Sequence, residues 1–245
     1  MKKRLFDIFF SALGLLLLSP IFLIFIILIF LQDRSNPFYK APRVGENERI
    51  FTMVKLRSMI VNADKSKVDS TASDDVRITQ VGLLIRKYKL DELTQLWNVF
   101  KGDMSLVGPR PNVQRDVDLY SDIERSLLTI KPGITDFSSI VFSDEGDILS
   151  GFKDPDVGYN QLIRPWKSKL GILYIDKRTF LLDIFLIFCT IIAIIDKKTA
   201  LNLISKKLGE LTEDEELISV CKRDRELKPS VPPGHNSIVE SREIN

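Results

Sequence analysis

The stretch IFFSALGLLLLSPIFLIFIILIFL, from Ile8 to Leu31, holds no charged side chain and decides where the rest of the chain must sit. As an α-helix it would be about 36 Å long, against a hydrocarbon core of roughly 30 Å. It belongs in lipid. Lys2, Lys3 and Arg4 give it the basic start of a secretory leader, but the run is too long and no small-residue cleavage site follows it. Ser19 and Pro20 fall halfway along. Proline removes a backbone donor and clashes with the preceding turn, and a serine hydroxyl can take the carbonyl so released. A break is expected there. The plain reading is a spanning helix with a proline kink; the sharper one is a helix that enters and leaves on the same side. Lys2 to Arg4 precede the run and Arg34, Lys40 and Arg43 follow it, so the positive-inside rule gives no direction of crossing. That ambiguity favours re-entry, with both ends in the cytoplasm.

Outward from this segment, a second apolar run spans Phe180 to Ile195, carries Asp183 near its start and closes on Asp196, Lys197 and Lys198. At about 16 residues it is short for a span and reads as an interfacial helix lying against the membrane. Beyond residue 206 the chain reads as a helix-forming charged stretch followed by a proline- and serine-containing disordered tail, with no chemistry of its own. The 245 residues carry 35 basic and 33 acidic side chains, net +2, so no overall field favours nucleic acid. Cys189 and Cys221 make neither a disulfide framework nor a metal cluster. His235, the only histidine, sits in the tail, so a histidine base or zinc site is excluded and the chemistry falls to carboxylates.

Between the apolar runs, Gly45 and its polar followers mark a turn between two short extended segments, and at period two Lys55 and Arg57 would share a face suited to a diphosphate. Leu93, Leu96, Trp97 and Phe100 keep helical spacing, which predicts a short amphipathic helix starting at or near Asp91, ending before Gly102, with those four side chains in the core. Asp91 has an ordinary explanation as the N-cap, with Glu92 in the first turn. A helix start is also an anion site. Arg86, Lys87 and Lys89 precede the acidic pair, and Arg110 follows on the rigid turn Gly108-Pro109-Arg110-Pro111. Nucleophile, charge neutralisation and orientation for phosphoryl transfer are therefore present without a histidine.

At these residues the chain resembles the bacterial sugar transferases, the monotopic polyprenyl-phosphate phosphoglycosyl transferases, in their small form. The resemblance runs over residues 1 to 198. It takes in Arg4 and Asp7, Ser19-Pro20, Lys55-Leu-Arg57-Ser-Met, Leu90-Asp91-Glu92-Leu93, Lys101-Gly-Asp-Met-Ser-Leu-Val-Gly-Pro-Arg110-Pro, Lys131-Pro-Gly-Ile-Thr, and Tyr174 to Thr190 with Asp183. It implies a mainly helical α+β monotopic membrane protein. Residues 1–34 would form the re-entrant helix, 35–205 a cytoplasmic catalytic domain with interfacial helix 180–195 and a small β element, and 206–245 the tail. It also implies transfer of a sugar-1-phosphate from a UDP-sugar to polyprenyl (undecaprenyl) phosphate at the cytoplasmic face of the bacterial inner membrane. UMP would leave, and membrane lipids and downstream glycosyltransferases would be the partners. Asp91 would be the nucleophile and help hold Mg2+, Glu92 its acid/base or metal-orienting neighbour, and Lys55, Arg57, Arg86 and Arg110 the phosphate contacts. Thr94, Asp136 and Glu48 stand where the family usually has proline, glycine and glycine. Two other classes compete: a glycosyltransferase that releases UDP, and a non-catalytic anchor in which Asp91 is only a cap.

Overall fold

The computed structural model describes residues 2–63 and 70–240. Lys2–Asp33 is a single helix, α1, and among the described residues it alone is long and apolar enough to cross a membrane. The helix runs through Pro20, so the break expected at Ser19 and Pro20 is not an interruption of the helical path. The local chemistry explains why. Pro20 cannot donate to the carbonyl of Leu16, and the Ser19 hydroxyl takes that carbonyl at 2.7 Å.

α1 is fastened to the remainder of the chain along one face. Phe22 and Ile29 are buried with Leu56 and Ile85, and Leu15, Leu18, Phe25 and Ile26 pack partly against them. At its start Arg4 donates to the carbonyls of Val99 (2.6 Å) and Phe100 (2.8 Å), and Asp7 accepts from the amide of Leu106 at 3.1 Å. Lys3 pairs there with Asp183, which Tyr174 also binds. At its end both Asp33 oxygens take the Arg57 guanidinium, at 2.6 and 2.7 Å. The other faces of α1 stay bare, including Leu16, Leu17, Leu23, Ile24 and Leu31.

The extended segments flanking Gly45 form an antiparallel hairpin, β1 (Phe38–Val44) and β2 (Ile50–Leu56), in register from Phe38↔Leu56 to Val44↔Ile50. Helices α2 (Gln80–Lys87), α3 (Leu90–Leu93) and α4 (Leu96–Lys101) follow, then strand β3 (Ser105–Val107). Short helices α5 (Gln114–Val117) and α6 (Asp122–Arg125) lead to β4 (Gly133–Thr135), which pairs with β3 in parallel. Next come α7 (Phe137–Val141), α8 (Glu145–Ile148) and α9 (Pro155–Gly158), and a π-helical turn over Tyr159–Ile163 that feeds α10 (Arg164–Lys177). The chain closes with α11 (Phe180–Ile195), α12 (Lys197–Leu211) and α13 (Glu215–Lys222). The fold is mostly helical with two small sheets, as the family resemblance implied.

α11 forms over the apolar run and is buried on one side only. Leu182, Asp183, Leu186 and Cys189 face inward, while Phe180, Leu181, Ile184, Phe188, Ile191, Ile194 and Ile195 are uncovered. Phe6 of α1 meets Phe180 edge-on at 5.2 Å, so the bare faces of α1 and α11 adjoin.

Two expectations are overturned by the packing. The charged stretch beyond 206 is helical, as its sequence suggested, but it is not set apart from the catalytic domain at 205, because α12 runs across that position and α13 follows it. Leu201, Ile204 and Leu208 of α12 and Leu217 and Cys221 of α13 belong to the main core with Tyr174, Leu182 and Leu186. Each such side chain contributes about 1.5–3 kcal/mol when fully buried, and those apolar residues are spaced among charges that mask them in a composition count. Residues 241–245 of the expected tail lie outside the described ones. Second, Trp97 and Phe100 do not enter the core. They are 48% and 40% exposed and stack on each other with centroids 6.0 Å apart, while Leu96 is buried and Leu93 packs toward α1.

Candidate active site

The acidic pair lies in the segment between α2 and α4. Lys89, in the left-handed conformation (φ 54), turns the chain into α3 and occupies the N-cap position. Asp91 is thus inside α3 and is not the cap its spacing suggested. Thr94 fixes α3 to the hairpin: its hydroxyl lies 2.8 Å from the Asp91 carbonyl and 3.0 Å from that of Val54. Asn98 of α4 fastens to the same strand, accepting from the Val54 amide at 3.0 Å and donating to the Thr52 carbonyl at 2.7 Å. These bonds set β2 beside α3, so that Lys55 Nζ stands 4.0 Å from Asp91 Oδ2. Thr94, at the position where the family usually has proline, supplies a hydroxyl that proline could not.

Arg110 reaches the pair from the turn after β3. The amide of Gly108 donates to Thr135 at 3.0 Å and that of Gly133 to Pro109 at 2.9 Å. A Cβ on either glycine would collide with the backbone of the other segment, so only glycine permits this approach. Held there, Arg110 Nη2 lies 2.6 Å from Glu92 Oε1. The two neighbouring carboxylates are consequently in different states of engagement. Glu92 is clamped, whereas no hydrogen bond among the described residues reaches the Asp91 carboxylate, which has only the looser Lys55 contact.

The charges around them are strongly perturbed. Burial alone would raise Glu92, but Arg110, Lys89 and Lys55 outweigh it and hold the carboxyl down at about 2. Glu92 in turn drives Arg110 upward. Burial lowers the Lys55 ammonium, with Asp91 opposing the shift, and acts likewise on Arg86. Arg86 Nε also donates to the Ser58 hydroxyl at 3.0 Å. Asp91, Glu92, Lys55, Arg86 and Arg110 are therefore brought together. Arg57 is not: its guanidinium is taken up by Asp33 and by the carbonyl of Asn36 (2.8 Å), and β2 ends before it at Leu56, so the shared face with Lys55 is not realised.

Three further residues belong to this cluster and were not singled out from the sequence as site residues. Lys89 acts on Glu92 from the start of α3. Glu145, at the start of α8, pairs with Lys167 of α10 and interacts with Arg110 and Lys89. Burial would raise Glu145, but those cations keep it lowered. Lys89 stood in a basic run that drew notice, but nothing local to Glu145 or Lys167 marks them, since only the packing of α8 on α10 places them here. Asp136 serves the framework and not the chemistry. Its carboxylate caps α7, accepting from Ser138 and Ser139, while burial raises it.

Among the described residues no three histidines, cysteines or carboxylates gather as ion ligands. Of the acidic pair, Asp91 alone presents an unclamped carboxylate. That donor set suits a hard cation held chiefly by phosphate and water oxygens, and does not suit an all-protein metal cage.

Residues 1–197 match the family model described as bacterial sugar transferase. The chain is 31% identical over 208 residues to the exopolysaccharide production protein ExoY of Sinorhizobium fredii, covering 79% of this chain and 85% of that one. It is 35% identical over 189 residues to the undecaprenyl-phosphate galactose phosphotransferase of Salmonella typhimurium, covering 71% of this chain and 38% of that enzyme. Over 109 residues it is 44% identical to a putative undecaprenyl-phosphate N-acetylgalactosaminyl 1-phosphate transferase of Bacillus subtilis, covering 44% and 61% of the two. A match running from the start of α1 past the end of α11 takes in every residue of the cluster around Asp91, and on that extent the chain belongs to the bacterial sugar transferase family.

Proposed function

We propose that this protein transfers a sugar-1-phosphate from a UDP-sugar to polyprenyl (undecaprenyl) phosphate, through a phosphosugar carried on Asp91. The observation that supports this reading most is the unequal state of the two carboxylates: Glu92 is held ionised by Arg110 at 2.6 Å, while no hydrogen bond among the described residues reaches the Asp91 carboxylate, which meets Lys55 at 4.0 Å. An oxygen of Asp91 attacks the sugar-bearing phosphorus, the bond from that phosphorus to the bridging oxygen breaks, and UMP leaves with that oxygen. An oxygen of polyprenyl phosphate then attacks the same phosphorus and displaces Asp91, giving a polyprenyl diphosphate sugar. No bond at the anomeric carbon breaks, so the product keeps the donor's anomeric configuration. Lys55, Arg86 and Arg110 bind and orient the phosphates, and Glu92 fixes the Arg110 fork instead of serving as a proton donor. Mg2+, held by Asp91 and phosphate oxygens, would neutralise charge on the diphosphate.

The reading includes a monotopic placement. The first turns of α1 bind Val99, Phe100, Leu106 and Asp183, and its last residue binds Arg57, all in one domain. Anchors to one domain at both ends of α1 support a placement with both ends on one side of the bilayer. That side is the cytoplasmic face of the bacterial inner membrane, where nucleotide sugars are available and where downstream glycosyltransferases would receive the product.

The test uses donor alone. Enzyme incubated with a UDP-sugar, quenched and mapped by mass spectrometry should carry a phosphosugar on Asp91 and exchange labelled UMP into the donor without lipid. Absence of both, in enzyme that turns over once polyprenyl phosphate is added, would place the attack on the lipid phosphate itself and overturn the two-step scheme.

A further inference from the structure

The matched family region ends at residue 197, yet the chain continues into α12 and α13 and brings the end of α13 to Phe142 and Asp144, next to Glu145. Three successive residues make the connection. The Ser143 carbonyl accepts from Lys89 Nζ at 3.0 Å, at the turn that launches α3. Asp144 faces the opposite way and takes Arg223 Nη2 at 3.1 Å and Lys197 Nζ at 2.8 Å. Glu145 turns back to the site, pairing with Lys167 and interacting with Arg110.

Arg223 is built for this position. It sits in the left-handed conformation (φ 55) that ends α13, its guanidinium lies over the Phe142 ring with 5.6 Å to the centroid, and its side chain is largely buried. Leu217 and Cys221, both buried, lock α13 onto the core and leave Arg223 little freedom to move away. Among the described residues Asp144 Oδ1 and Arg223 Nε and Nη1 are buried without hydrogen-bond partners, so for the Arg223 guanidinium the Asp144 contact and the Phe142 ring carry much of what compensates its desolvation, while Asp144 is shared with Lys197.

We infer that Arg223 is a positioning residue for donor binding: through Asp144 it fixes the Ser143–Glu145 segment, and so the places of Lys89, Lys167 and Arg110. This rests on the reading of the Asp91 cluster as the site of a nucleoside-diphosphate sugar. The link is continuous in physical contacts, from α13 to Asp144, through one peptide to each side, to cations bracketing the acidic pair. A purely stabilising role would lower the melting temperature without a specific effect on nucleotide affinity.

UDP is the probe, titrated into the full-length protein in lipid nanodiscs. Arg223→Ala and Asp144→Asn should each weaken UDP binding about three- to thirtyfold. The double variant should bind no more weakly than the worse single one, since both remove the same contact. Arg223→Lys should recover most of the affinity. Asp144→Asn, which keeps the side chain's shape, carries the test alone if Arg223→Ala does not fold. UDP affinity within about twofold of wild type in these variants, or additive losses in the double variant, would overturn the inference whatever happens to the melting temperature. Failure of the wild-type protein itself to bind UDP would overturn the donor-site reading along with it; binding by wild type with unchanged variants overturns only the role of Arg223.

Discussion

Glu92 and Arg110 set the acid limit of the site. The folded carboxyl is held at about 2, below its ordinary 4.5, so its stabilising contribution is complete above the ordinary value and is lost as pH falls from there toward the folded one. Thermal melts of wild type should therefore steepen their decline below about pH 4.5, and Glu92→Gln should be less stable at neutral pH with a flatter acid limb. Parallel acid limbs in the two proteins would refute this assignment. Arg110→Ala should do more than remove a phosphate contact, because it leaves Glu92 buried and unpaired. A loss of about thirtyfold or more in UDP affinity is expected, with little recovery in Arg110→Lys, whose point charge does not reproduce the fork. Equal affinity in Arg110→Ala, read by the same titration, would remove this side chain from the donor site.

Among the elements, α1 and the α12–α13 pair carry the strongest consequences. Cysteines introduced at Lys2 and Lys40 should both resist an impermeant thiol reagent in intact cells and react after lysis. Cys189 and Cys221 are free but buried, so background labelling is low. Labelling of the first with protection of the second would establish a simple span. Pro20→Ala returns a donor to the Leu16 carbonyl, releases the Ser19 hydroxyl and should stiffen the middle of α1. Removal of residues 212–245 should destabilise the protein by several kcal/mol, on the order of 1.5–3 for each buried apolar side chain lost, seen as a lowered melting temperature and faster proteolysis. An unchanged melting temperature would restore the picture of an appendage. Much of this level was legible in the sequence. The apolar runs gave α1 and α11 and the turn at Gly45 gave the hairpin, because hydrophobicity and turn chemistry are local. The N-cap of α3 was misplaced by two residues, because Lys89, a poor candidate for a left-handed turn, adopts it and puts Asp91 inside the helix. The tail was misread because the value of Leu217 and Cys221 depends on a surface formed by α10 and α12, which no window of charged residues can show.

At the scale of the whole molecule, the bare faces of α1 and α11 adjoin at Phe6 and Phe180 and form an apolar surface far larger than scattered surface residues would leave. Trp97 and Phe100 are exposed beside the Arg4 anchor, and the indole of Trp97, an apolar ring with one N–H, has the amphipathic character of a side chain placed at a lipid boundary. Their helical spacing was readable from the sequence, but spacing does not say whether the apolar face meets protein or lipid. The same limit applied to Arg57. Its charge suggested a phosphate, and only the return of the chain at Asp33 shows that it closes a structural pair. The cluster at Asp91 was legible as far as its residues are close in the chain or stand on a marked turn; Glu145 and Lys167 come from segments that meet only when the domain closes.

The anchors of α1 also impose an order on biogenesis. Its partners are made long after it: Arg57 follows Asp33 by 24 residues, and Asp183 follows Lys3 by 180. At about 5–20 residues per second, the second interval lasts on the order of ten to forty seconds. For that time the longest apolar segment of the chain has been made while the carboxylate that Lys3 will meet has not. The Arg4 bonds to Val99 and Phe100 and the Asp7 bond to Leu106 become possible earlier in that interval, and the Lys3–Asp183 pair completes the set of anchors only when α11 arrives.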